Sequence, residues 1–159
     1  MRAQPIYQLP EKARTVWRLY GVIYTAIMIV LTAGMSFIVT KFDLPQWIVW
    51  ILIAATLVVA GLWIVIFPII RHKVWRYEVR EQEIEIQSGL FIVKRTLIPM
   101  VRVQHVDTEQ GPILKRYNLA NISISSAATI HIIPMLLTED ADHLRERISL
   151  LARVAEDDV

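Results

Sequence analysis

Cysteine is absent from this chain, which excludes a disulfide scaffold, a thiolate nucleophile and any metal or iron–sulfur site built on sulfur. Glycine is scarce. The five in 159 residues are all isolated, so no glycine-rich loop is available to cradle a phosphate. Charge of one sign is also missing: 17 basic and 15 acidic residues leave a net +2, too little to argue for nucleic acid. Two stretches hold no charge at all, 22 residues over 19–40 and 27 over 44–70. Neither contains an ionisable residue other than tyrosine. An ion or proton pathway ordinarily needs one at mid-membrane, so two such helices make a poor transporter.

What is present is apolar and concentrated in the first half. Hydrophobic residues make up 55% of the chain and mean hydropathy is +0.44, against about 45–50% apolar residues in a soluble domain. A helix rises about 1.5 Å per residue and a bilayer core of about 30 Å takes roughly 20 residues, so both uncharged runs can span. The second exceeds the need and would tilt or lodge its ends among headgroups. Nothing else in the chain is large enough to cover two such helices, which disfavours a buried pair in a soluble core. A cleaved signal peptide is disfavoured too, because the first run starts near residue 19, is too long and lacks a small-residue cleavage site. Lys41-Phe42-Asp43-Leu44-Pro45 is a tight connection, so the helices form an antiparallel hairpin. Arg2, Lys12, Arg14, Arg18, Arg71, Lys73 and Arg76 flank its open side, and Lys41 stands alone at the tip. This asymmetry places both termini in the cytoplasm. The expected division is a cytoplasmic segment 1–18, a span 19–40, an external loop 41–46, a span 47–70 and a cytoplasmic domain 71–159. Small residues around Gly34 and at Ala54-Ala55 and Ala60-Gly61 are candidates for close helix approach, with ordinary hairpin packing the simpler reading.

After residue 71 the apolar spacing drops to period two. Trp75, Tyr77 and Val79 alternate with charges, as do Ile84 and Ile86. Ser88-Gly89 signals a turn before a strand over 90–98 that Pro99 stops. Val101 and Val103 alternate, and a phase slip before Val106 predicts a bulge. Ile122 and Ile124, then Ile130 and Ile132, give two more. These six strands with short connections predict an antiparallel sheet curled around one apolar face. Residues 111–118 predict one helical turn ending with Asn118 in a left-handed conformation. Residues 138–155 predict an amphipathic helix, with Thr138 as N-cap, acids in the first turn and a stripe of Ala141, Leu144, Ile148 and Leu151 that plugs an open end or side of the barrel.

A membrane hairpin comes first. Trp75-Arg76-Tyr77, Ile84-Glu85-Ile86-Gln87-Ser88-Gly89, Ile98-Pro99, a one-turn helix over 111–118 and a final capped helix follow in that order. Over about 15–155 this resembles a bacterial membrane family whose cytoplasmic part is pleckstrin-homology-like, in particular its small two-span, YdbS-like members. Asn118 stands where family members often have glycine. The resemblance implies an α+β fold beside the α-helical hairpin, a PH-like antiparallel β-barrel of seven strands capped by the C-terminal α-helix. It implies a bacterial inner-membrane location and a binding or assembly role with no enzymatic activity and no cofactor. It also implies pairing with a larger multi-span membrane protein that carries related PH-like domains.

Catalytic and metal readings are weak. His72, His105, His131 and His143 show no metal-ligand spacing. His105 and Asp107 with Ser123 or Ser125 supply the ingredients of a triad, yet no nucleophile elbow supports them. Glu81, Glu83 and Glu85 read as a solvated strand face. Basic groups remain as candidate lipid-facing residues: Arg71, Lys73, Arg76, Lys94, Arg95, Lys115 and Arg116. The first turn, Arg80-Glu81-Gln82-Glu83, is flanked by acids, which disfavours specific phosphoinositide binding. Ile113 and Leu114 are candidate partner contacts. The expected function is a two-span, membrane-anchored scaffold whose PH-like domain engages a membrane-protein partner or the inner leaflet, in envelope maintenance or defence against membrane-active agents. An accessory subunit of an export or transport complex is the alternative, and a homo-oligomer is left open. Twelve basic and 13 acidic residues give 71–159 a net −1, which favours the protein partner over the anionic surface.

Overall fold

Helix α1 (Glu11–Lys41) and a second helical run, Trp47–Val74, are 31 and 28 residues long. Both are apolar and long enough to cross a membrane by length and composition, and only 6% of the most apolar window of each is buried. A core helix of a soluble protein would be hidden by its neighbours. These leave Leu31, Phe37, Trp50 and Leu57 facing outward. The second run consists of α2 (Trp47–Gly61), a π-helical turn (Leu62–Ile66) and α3 (Phe67–Val74). Pro68 explains the turn: it lacks an N–H, and its ring conflicts with the carbonyl four residues back, so the preceding turn widens. The reversal between α1 and α2 uses Asp43 at φ 51°.

The computed structural model describes residues 4–90, 92–127 and 129–157; Arg2 and Phe91, used in the sequence reading, lie outside the described residues. The chain divides into two compact units, Trp17–Ile69 and Met1–Val16 together with Ile70–Val159. In the helical unit a close approach falls at Gly21, and none at Gly34 or Gly61. A Cβ on Gly21 would lie 2.6 Å from the Trp63 carbonyl oxygen, whereas one on Gly34 or Gly61 would meet nothing within 4 Å. Thr56 Oγ1 donates to the Leu52 carbonyl at 2.8 Å, so Thr32 Oγ1 is the donor in the 2.7 Å bond between the two helices. Trp63 makes edge contacts with Tyr24 and Phe67.

The second unit holds seven strands where six were expected. The additional one is β1 (Tyr7–Gln8), from the segment before α1. It pairs antiparallel with β2 (Arg76–Val79), Tyr7 opposite Tyr77 and Gln8 opposite Arg76. With β3 (Glu83–Gly89) and β4 (Val93–Pro99) it forms a sheet in the order β1-β2-β3-β4. Tyr7 stacks on Tyr77 at 5.7 Å, Leu9, Ala13 and Val16 are buried, and His72 Nε2 donates to the Leu9 carbonyl at 3.0 Å. A 3₁₀ turn (Met100–Arg102) leads to β5 (Val103–Glu109), α4 (Pro112–Arg116), β6 (Leu119–Ser126) and β7 (Ile130–Leu137), a second sheet in the order β5-β6-β7. Asn118 is left-handed at φ 54°, and the register shifts between Val103 and His105 as the phase slip predicts.

The barrel is corrected: the four- and three-stranded sheets are not closed on each other. The phase of β7 is corrected as well. Ile130 and Ile132 are 66% and 45% exposed, while Ile133, Met135 and Leu136 are buried. A second register shift, between Ala120 and Ile122, accounts for this. Met135 turns to φ 56° and its N–H donates to Asn121 Oδ1 at 2.9 Å, so the side-chain alternation changes hand along the strand. Helix α5 (Thr138–Asp157) packs across β5, β6, β7 and the 3₁₀ turn. Ala141 and Ile148 are fully buried against them, and Leu144 and Leu151 are half-buried. The Thr138 hydroxyl accepts from Gln110 Nε2 at 3.1 Å.

Candidate functional site

The first sheet sorts its charges along its length. Starting from the end where the chain arrives from α3, Ser88 pairs with Lys94, and the next row carries Arg76, Gln87 and Arg95. Towards the other end stand Glu78 opposite Glu85, then Glu83 opposite Pro99. Arg80 ties the acidic rows together. Its Nε and Nη2 donate to Glu78 at 3.1 and 3.0 Å, and its Nη1 donates to Glu83 at 3.0 Å. Hydrogen bonding to Arg80 holds the Glu78 carboxyl below its usual range, and the Glu78 carboxylate in turn raises Arg80. The guanidinium in the β2–β3 turn therefore already has carboxylate partners, which leaves it a poor phosphate ligand.

Glu85 is not on a solvated face. It is buried, 3.5 Å from Arg80 and 4.0 Å from Arg95. Arg95 Nε also donates to Gln87 Oε1 at 3.0 Å, and Gln87 Nε2 donates to the Val74 carbonyl at 3.1 Å. A polar chain thus runs across three strands to the last residue of α3.

The predicted basic residues fall in three places. Arg71 and Lys73 lie in the last turn of α3. Arg76, Lys94 and Arg95 lie in adjacent rows of the first sheet, where Arg76 is half-buried and Lys94 exposed. Lys115 and Arg116 are exposed on α4, which connects two strands of the second sheet. Of the two candidate partner contacts, Leu114 is buried and unavailable, and Ile113 is half-buried. Pro112 opens a single turn, and Leu114 two residues later is the side chain that seats it.

Two clefts were not legible. One of about 310 Å³ is lined by Tyr7, Tyr77, Asp140, His143 and Arg147 among others. Burial first, then Asp140 and Tyr7, raise the Tyr77 hydroxyl above its ordinary pKa. The other, about 410 Å³, lies along the seam where the sheets stay apart. Leu97, Pro99, Val101, Ser126, Thr129 and His131 line it, and Leu97 and Val101 are exposed.

The pairs His105–Ser125 and Asp107–Ser123 do face each other across β5 and β6. Among the described residues no side-chain hydrogen bond joins them, and both His105 and Asp107 are exposed.

The bacterial PH domain family matches residues 21–152. The chain is similar to the UPF0699 transmembrane protein YdbS of Bacillus subtilis (strain 168), 51% identical over 159 residues that span 100% of both chains. It is also similar to the UPF0699 transmembrane protein YdbT of the same strain, 25% identical over 99 residues, 60% of this chain and 20% of that one. No solved structure matches it. With its two apolar helices, sheet-rich PH-like domain and C-terminal helix, the chain belongs to the bacterial PH domain family and, within it, to the UPF0699 transmembrane proteins.

Proposed function

We propose that this is a non-catalytic, membrane-anchored scaffold that engages a larger membrane protein through its PH-like domain. The observation that carries the reading is the open seam between the sheets, where Leu97 and Val101 are exposed on a domain whose net charge is close to zero. An exposed apolar patch of this kind suits a protein partner better than an anionic surface. The partner class is a multi-span membrane protein bearing a related domain. Support comes from the match to YdbT, where a stretch related to this chain occupies 20% of a longer protein. Anchoring raises the effective concentration of the seam for such a partner.

The orientation belongs to the same reading. Both termini lie in the cytoplasm of a bacterial inner membrane, supported by seven basic flanking residues against one and by β1 pairing with β2, which brings the flanks of the helix pair together. Asp43→Cys labelled by an impermeant thiol reagent in intact cells, with Glu139→Cys protected, is the expected result. The reverse pattern overturns the orientation. The function is tested by purification from native membrane in mild detergent. A multi-span protein with a related domain should accompany the wild type and be lost from Leu97→Asp/Val101→Asp, both exposed on the seam. A chain that purifies alone, or a partner indifferent to those changes, removes the scaffold reading.

A further inference from the structure

The β3–β4 hairpin ends in an apolar tip. Ile92 is 84% exposed and Val93 52%, with Leu90 half-buried beside them. Gly89 sits at φ 142°, and any Cβ there would collide with the Ile92 carbonyl oxygen. Only glycine closes the chain in this way.

The register fixes which end of the sheet the tip occupies. Gln87 pairs with Arg76, and β3 continues two residues further, to Gly89 opposite Val93. The tip therefore projects about 7 Å beyond the row of Arg76, at about 3.3 Å per residue. This is the end at which the chain enters from α3, whose Val74 carbonyl accepts from Gln87. It is also the end from which β1 leads into α1. From Arg71 to Arg76 the chain covers about 11 Å, three residues of helix and two extended. The tip thus lies at the end of the sheet that receives the chain from α3.

Charge follows the same axis. Arg76 and Lys94 occupy the two rows behind the tip, Arg95 beside Arg76 reaches Gln87 and Glu85, and Glu78, Glu83 and Glu85 lie towards the other end. Exposed isoleucine and valine backed by a basic rim match a surface that is apolar within and anionic at its boundary.

We infer that the β3–β4 tip, Leu90, Ile92 and Val93, inserts into the lipid leaflet from which α3 emerges, with Lys94 at the headgroups. The inference rests on the membrane-anchored reading and adds a third attachment beside the two helices. It turns the first sheet end-on to the bilayer, so that the acidic β2–β3 turn faces away. This element is distinct from that turn, whose arginine is held by carboxylates.

The full chain, carrying Ile92→Cys or Val93→Cys with an environment-sensitive fluorophore, is reconstituted in vesicles of phosphatidylethanolamine and phosphatidylglycerol without any partner protein. Glu81→Cys, exposed in the β2–β3 turn, is the reference. Blue-shifted emission at 92 and 93, quenched by nitroxide lipids in either leaflet, with water-like emission at 81, is the expected result. Water-like emission at 92 and 93, or equal quenching at all three positions, overturns the inference. No partner is present, so failure of the scaffold reading leaves the outcome unchanged.

Discussion

In Trp17–Ile69 the large side chains point away from the protein, and Trp50, Leu57 and Phe37 are exposed. In the sheet-bearing unit Ile84, Ile122, Ile124, Ile133 and Ile148 are fully hidden. The two regions meet the same physical demand from opposite sides. The domain carries its own apolar interior and gains by removing it from water. The helix pair gains nothing comparable by pairing, since a surrounding hydrocarbon is as apolar as leucine. Its specificity falls to a few close events, Gly21 beneath the Trp63 carbonyl and Thr32 bonded to Thr56. Substitutions should therefore divide cleanly between the regions.

The largest effect is expected in the domain. Ile148→Ala removes a fully buried side chain between α5 and the second sheet and should cost about 2–5 kcal/mol. Urea-dependent proteolysis of the membrane-embedded chain reads this loss, while helix insertion stays intact. Loss of insertion would break the division between the regions. Leu144→Ala should cost less, because Leu144 is half-buried at the edge of the smaller cleft. In the helix pair, Gly21→Ala forces a methyl against backbone and should cost about 1–3 kcal/mol. Titration with SDS in mixed micelles should show earlier loss of the helix pair, with domain melting unmoved.

Two smaller effects sharpen the comparison within the domain. Tyr7→Ala removes the stack on Tyr77, worth about 0.5–1.5 kcal/mol beyond burial. Hydrogen exchange should accelerate in β1 and β2 and stay unchanged in β6. Acid should act on the same sheet. The folded-state pKa of Glu78 is lowered by Arg80, so its contribution is present above the ordinary glutamate value of 4.5 and is lost as pH falls through the lowered value. A melting curve that declines on acidification, and declines less in Glu78→Gln, is the expected outcome.

Much of the architecture was legible because period and length are strong local signals. The apolar runs, the alternation over 84–86 and 122–124, the slip before Val106 and the left-handed Asn118 are all local events. What escaped depends on contacts distant in sequence. Strand β1 is two residues long, has no alternation to display, and its partner lies 70 positions away. Gly21 stands near the start of a run where nothing marks its neighbour as Trp63. Glu85 reads as solvated until Arg80 and Arg95 are seen beside it. Ile130 and Ile132 alternate correctly, yet the shift at Asn121 settles which face they present. The basic residues of the candidate surface were readable one by one, but their alignment behind the hairpin tip follows from strand register.

The pairing of β1 with β2 also orders events in time. Tyr7 leaves the ribosome 70 residues before Tyr77, roughly 4–14 s at ~5–20 residues per second. During that interval both apolar helices are synthesised. The first sheet can be completed only when the segments before and after those helices occupy the same compartment. A chain whose second helix failed to return across the bilayer would leave Tyr77 without Tyr7, and the edge of β2 open. Completion of this strand pair therefore depends on the path of both helices, and an insertion error would leave the first sheet without its edge strand.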